Sequence, residues 1–111
     1  MATTVKNIIP RKQIEATQTA QYTAVNCRTI IDKFTLTNNS AANVTVSVNL
    51  IASGGTASNS NLVLKSRVIA PNQTYLCPEI VGQCLESGGF VSTIASAATS
   101  ITISATGREI V

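Results

Sequence analysis

Residues 44–50 show the clearest alternation of apolar and polar residues in the chain, with aliphatic side chains at every even position. A period of two predicts a β-strand with one face on a core and the other toward water or a partner. Residues 29–37 alternate less regularly, because Ile31 and Asp32 break the pattern. The turn-forming residues 38–42 lie between the two runs, so we predict an antiparallel hairpin here.

Later segments show the same short alternating pattern. Residues 62–68 and 74–77 each predict a strand, and residues 90–95 and 100–106 predict a second hairpin. The small, glycine-containing stretch 53–61 predicts a loop. Several short strands separated by Gly, Asn and Ser turns are typical of a β-sandwich rather than an α/β sheet.

One segment departs from strand periodicity. In residues 78–85 the apolar side chains of Ile80, Val81, Cys84 and Leu85 recur at helical spacing behind a proline. We therefore predict at most one short helical turn in an otherwise all-β chain. The predicted architecture is a single antiparallel β-sandwich, of the jelly-roll or immunoglobulin-like type, with closure into a barrel as the alternative.

Composition agrees with this fold class. The chain has 111 residues, of which 44% are hydrophobic and 12% charged. Its many Thr, Ile and Val residues are stiff at χ1 and suit a pleated sheet. The length is that of one domain with one core.

Residues 1–19 do not show the alternation of the later strands. We predict that they form an extended N-terminal arm and that residues 20–111 form the sandwich domain. Two interpretations of the arm stay open: a frayed terminus, or a segment that orders on a neighbouring subunit through its isoleucines and cations. On the second interpretation the partner-binding residues are Lys6, Ile8, Ile9, Arg11, Lys12 and Ile14.

The residue inventory argues against catalysis. The chain has no His, which removes the commonest general base and the commonest metal ligand. The five acidic residues show no paired-carboxylate spacing, although a pair brought together by folding remains the enzymatic alternative. Asp32 lies at an apolar position, and we expect it to be partly buried in an ion pair with a neighbouring Arg. We predict no enzyme activity, no cofactor and no metal.

Cysteine content and charge narrow the cellular context. Three cysteines without His make neither a complete disulfide framework nor an ordinary zinc site, so Cys27, Cys77 and Cys84 are expected to be buried reduced thiols. The sequence opens on polar residues without a leader or membrane span, which predicts cytosolic synthesis and no membrane partner. A net charge of +3 with few aromatic residues argues against nucleic-acid binding.

From Tyr22 onward the chain has a characteristic succession of strands and turns, at residues 22–25, 34–39, 44–50, 53–56, 70–74 and 92–105. This succession resembles the small virion structural proteins of tailed bacteriophages. This resemblance implies a head decoration, neck, collar or tail-associated role in a virion assembled in the bacterial cytoplasm. It also implies other virion proteins and further copies of the chain as partners. A receptor- or glycan-binding module at a tail tip, using the polar loop 53–61, is the alternative.

Overall fold

The protein is all-β. The computed structural model describes residues 2–111, and within them it has no helix and nine β-strands. Alternating apolar and polar residues build the longer strands, and turn-forming residues end them. The strands are β1 (Thr3–Gln13), β2 (Thr19–Thr23), β3 (Arg28–Asn38), β4 (Val44–Ile51), β5 (Leu62–Ile69), β6 (Thr74–Tyr75), β7 (Cys84–Leu85), β8 (Phe90–Ala95) and β9 (Ile101–Ile110).

The strands form two antiparallel sheets that pack face to face. Sheet A has the order β1-β9-β3-β6, with β7 also paired to β3, and sheet B has the order β2-β8-β4-β5. The chain passes from one sheet to the other at every connection except β4 to β5 and β6 to β7. This order is that of a jelly roll. An immunoglobulin-like sandwich would keep more consecutive strands within one sheet.

Both predicted hairpins are wrong in their pairing. Strand β3 pairs with β9, β6 and β7, while β4 pairs with β5 and β8. Likewise β8 belongs to sheet B and β9 to sheet A. At the β3–β4 corner the buried Asn38 side chain donates to the carbonyl oxygens of Ala42 and Ile69, both at 2.8 Å. These bonds hold the corner in the form that crosses between the sheets.

The predicted core faces are largely confirmed. Phe34, Leu36, Val46 and Val48 are all fully buried between the sheets. The break that the sequence shows at Asp32 is a β-bulge, since the pairing with β9 shifts between residues 31 and 33. The extra residue moves the apolar side chains from odd to even positions.

The bulge also determines how far the side chain of Asp32 is exposed. Its side chain was expected to be partly buried; it is 38% exposed and lies 2.9 Å from Arg108. The expected ion pair with an arginine is therefore present, but on the surface. Position 32 points outward because the bulge releases it from the alternation of β3.

The predicted separation of an arm, residues 1–19, from a sandwich, residues 20–111, is not seen; Met1 lies outside the described residues. Strand β1 runs antiparallel to β9 along the edge of sheet A. Ile8, Ile9 and Ile14 are 4%, 1% and 1% exposed and belong to the main core. These residues therefore take part in the folding of the sandwich itself.

Residues 78–82 form a turn, and the backbone N–H groups of Ile80 and Val81 both donate to the carbonyl of Cys77. The helical turn predicted for residues 78–85 is therefore confined to residues 78–82. The prediction is wrong for Cys84 and Leu85, which form strand β7 and pair with β3. Among residues 2–111 there is no helix with the length and hydropathy needed to cross a membrane.

Candidate functional site

A polar groove lies on the outer face of sheet B, beneath the loop formed by residues 52–61. Its volume is about 260 Å³. Side chains of β4, β5 and β8 form its floor, and the loop forms one wall. The polar groove is lined by Gln18, Ser47, Asn49, Ala57, Ser58, Asn59, Leu62, Lys65, Ser66 and Ile94.

Two asparagines fold the loop against the sheet. Asn49 Nδ2 donates to Asn61 Oδ1 at 2.7 Å and to the carbonyl oxygen of Ser58 at 3.1 Å. Asn61 in turn donates from Nδ2 to the carbonyl oxygen of Thr56 at 2.8 Å, and its Oδ1 accepts the N–H of Ser58 at 3.0 Å. The wall of the groove is therefore held by the chain's own hydrogen bonds, and such preorganisation lowers the entropic cost of binding.

The alternation in β4 predicts that Asn49 faces water, but the side chain is only 4% exposed. The pairing of β4 with β5 shifts between residues 46 and 48 and again between residues 48 and 49. The loop then closes over Asn49, and its hydrogen bonds compensate for the loss of water. A buried asparagine next to a small-residue loop marks this position as a loop anchor.

The floor of the groove is fixed by further hydrogen bonds. Gln18 Nε2 donates to Ser92 Oγ at 2.7 Å and holds the connection between β1 and β2 against β8. Ser66 adopts a positive φ of 46°, and its N–H donates to Ser47 Oγ at 2.8 Å. This bulge in the edge strand β5 places Lys65 at the rim of the groove.

A second depression adjoins the groove at the C-terminal end of β8. It has a volume of about 200 Å³ and shares Ser47, Ser66 and Ile94 with the first. Thr45 and Ser96 extend its polar lining, and Ser96 Oγ accepts the N–H of Thr45 at 3.0 Å. The two depressions are open to solvent and adjoin each other at these three shared residues.

A different surface lies at the end of the sandwich where β2, β3 and β9 meet. It contains a depression of about 610 Å³, bridged by an exposed ion pair between Arg28 and Glu86 at 3.0 Å. Val25, beside it in sequence, is 69% exposed, and Val111 is 72% exposed. We call this the end surface; the depression is lined by Asn26, Cys27, Arg28, Glu86, Ser87, Ile110 and Val111.

The structure does not bring the six predicted partner-binding residues together at an exposed site. Ile8, Ile9 and Ile14 face the core and are not available to a neighbouring subunit. The cations stay on the surface: Lys6 lies 3.4 Å from Glu109 and Lys12 lies 2.9 Å from Glu15, while Arg11 is exposed.

Each carboxylate in the described residues has a structural partner. Beside the four ion pairs, Glu79 accepts hydrogen bonds from Tyr75 Oη at 2.6 and 2.7 Å. Hydrogen bonding from Tyr75 holds the pKa of Glu79 below its ordinary value. None of these contacts is the close carboxylate pair that glycoside hydrolysis uses.

A polar cluster ties sheet A to sheet B near the end surface. Tyr22 Oη donates to Glu109 Oε2 at 2.5 Å and lies 2.7 Å from Thr29 Oγ1. Burial, together with the hydrogen bond to Glu109, raises the pKa of Tyr22, and the same bond lowers the pKa of Glu109. The cluster keeps the tyrosine protonated and the glutamate ionised at neutral pH.

The cysteines are free thiols. Cys27 and Cys77 are buried as predicted, whereas Cys84 is exposed on β7, so the prediction is wrong for that residue. Burial raises the pKa of Cys77 to about 12, which keeps this thiol protonated and unreactive. No group of three or more His, Cys, Asp or Glu residues within residues 2–111 has the arrangement of a metal site.

The sequence alone indicated only part of the polar groove. The loop 53–61 was recognised, but Gln18, Ser47, Lys65 and Ile94 come from segments that meet only in the folded jelly roll. Because these residues are far apart in the sequence, no local motif identifies them as a set. Comparisons of the chain with protein-family models, with curated proteins and with solved structures find no match.

Proposed function

We propose that the chain is a non-enzymatic structural protein of a tailed-phage virion, assembled in the bacterial cytoplasm and attached to head, neck or tail subunits. The observation that carries the proposal is the jelly-roll strand order, an architecture that viral capsid domains use. Because one fold hosts many functions, the engagement of every described carboxylate in a structural contact is the second support.

The proposed contact with neighbouring subunits is the end surface. Val25 and Val111 expose apolar side chains beside a large depression, and exposed apolar groups with a polar surround are typical of protein contacts. The sequence alone assigns the contact with neighbouring subunits to residues 1–19. We assign it to the end surface instead, because the isoleucines of that segment lie in the core. The neighbour is a further copy of the chain or another virion protein. Many copies in one particle make modest contacts durable.

The test compares two valines of similar exposure. Val25→Asp places a charge on the end surface, and Val68→Asp places the same charge on β5, where Val68 is 52% exposed. We expect Val25→Asp to lower incorporation into particles, as measured by mass spectrometry of purified virions, with an unchanged melting temperature. Val68→Asp should be incorporated normally.

Two outcomes count against the proposal. If the wild-type protein is abundant in infected cells but absent from purified particles, the virion role is wrong. If Val25→Asp and Val68→Asp are incorporated equally, the virion role stands and the end surface is not the contact.

The polar groove favours a second candidate function, binding of a receptor or glycan at a tail tip. The specific observation is the polar groove, whose wall is held by the hydrogen bonds of Asn49 and Asn61. Loops on a rigid scaffold commonly carry recognition. Binding of the purified protein to host cells, lost when residues 53–61 are replaced, would support this function.

A further inference from the structure

We propose that the polar groove binds an acidic saccharide, that is, a sugar ring carrying a carboxylate. The inference rests on the second candidate function and names its ligand class. It follows from three properties of the lining: its charge, its mixture of polar and aliphatic groups, and its shape.

The charge of the groove is positive. Lys65 is its one charged lining residue, and neither of the two connected depressions is lined by an acidic side chain. The four ion pairs within residues 2–111 use other cations, so no carboxylate there neutralises Lys65. A ligand with one negative charge complements this surface, and a cationic ligand would be disfavoured.

The lining also suits the two faces of a sugar ring. Leu62 and Ile94 offer aliphatic surface for the C–H groups of a ring. Asn59, Gln18 and Ser47 place amide and hydroxyl groups nearby, and these exchange hydrogen bonds with ring hydroxyls. Sugar sites usually contain an aromatic platform; the apolar surface of this groove is aliphatic instead.

The dimensions favour one ring in the groove with a chain extending from it. The main depression, about 260 Å³, is smaller than the sites of about 300–1,000 Å³ that hold drug-sized ligands. The adjoining depression of about 200 Å³ shares Ser47, Ser66 and Ile94 with it and extends past Ala95 to Ser96. This shape fits an extended oligosaccharide better than a compact ligand.

The experiment is an NMR titration of the ¹⁵N-labelled full chain with sodium glucuronate, with glucose and sodium acetate as matched probes. We expect saturable shifts at the amides of Asn59, Lys65 and Ile94 with glucuronate, weaker ones with glucose and none with acetate. Lys65→Gln should weaken glucuronate binding by about two- to fivefold, the range for one solvent-accessible ion pair. Lys33→Gln, an exposed lysine on sheet A, is the control and should bind like wild type.

Each remaining outcome overturns a defined statement. If glucose and glucuronate bind equally well and Lys65→Gln changes neither affinity, the groove is a saccharide site but the preference for an acidic sugar is wrong. Shifts with acetate alone reduce the site to general anion attraction and overturn the saccharide. Absence of saturable shifts with glucuronate overturns the inference, and if glucose also fails, the second candidate function loses its support. The virion proposal is tested separately by particle incorporation.

Discussion

The substitution Ile9→Ala tests whether β1 belongs to the core. The Ile9 side chain is 1% exposed and lies opposite Ala105 in the pairing of β1 with β9. The substitution removes three buried carbons, which at about 0.8 kcal/mol each amounts to roughly 2.4 kcal/mol of transfer free energy. The cavity left behind adds to this, so we expect the free energy of unfolding to fall by about 3 kcal/mol.

Such a loss is a large share of the roughly 5–15 kcal/mol that stabilises a domain. Urea denaturation measures it as a lower midpoint with an unchanged m-value. The matched control is Val5→Ala on the same strand, where the side chain is 78% exposed; its effect should stay within about 0.5 kcal/mol. If Ile9→Ala unfolds at the wild-type midpoint, β1 is a detachable arm and its assignment to the core is wrong.

The positions of strands could be predicted from the sequence, but their partners could not. A run of four or five turn-forming residues between two alternating segments suits both a hairpin and a connection that crosses between sheets. In this chain the choice depends on Asn38, which is fully buried and bonded to the carbonyl oxygen of Ile69, more than thirty residues away. A local pattern contains no information about such a contact.

The sequence pattern of residues 3–13 does not indicate strand β1, for a different reason. Its pairing with β9 shifts twice, between residues 6 and 9 and between residues 9 and 12. The adjacent residues Ile8 and Ile9 are therefore both buried, which erases the period of two that identifies a strand. Pro10 lies on an edge strand, in the irregular stretch between the paired residues 9 and 12. Edge strands tolerate proline at positions where its nitrogen does not face the neighbouring strand. Bulges, edge position and proline together gave the segment the pattern of an arm.

The polar groove was only half visible in the sequence. The loop 53–61 is recognisable by composition, since glycine and small polar residues mark it. The opposite wall and the floor depend on pairings among β8, β4 and β5 that the sequence did not predict. Lys65 becomes a candidate ligand-binding residue only because these pairings bring it to the same groove as Asn59, in a lining that contains no carboxylate. The chemistry of the site therefore follows from topology rather than from a motif.

Two predictions concern the contacts that close the sandwich. Gly107→Ala would place a methyl group 2.5 Å from a carbonyl oxygen of β3, so we expect a loss of at least about 1 kcal/mol in urea denaturation. The second concerns Glu109, whose pKa is lowered chiefly by the hydrogen bond from Tyr22. A lowered pKa means that the ionised form stabilises the fold, fully above the unfolded pKa and progressively less as pH falls through the folded one. Between pH 7 and pH 3 the wild type should therefore lose about 1 kcal/mol more than Glu109→Gln, because the charge-assisted bond is lost. Glu86→Gln, at an ion pair whose carboxylate side chain is 72% exposed, should keep the wild-type pH dependence. Parallel pH profiles for the wild type and Glu109→Gln would show that the cluster around Tyr22 does not stabilise the fold.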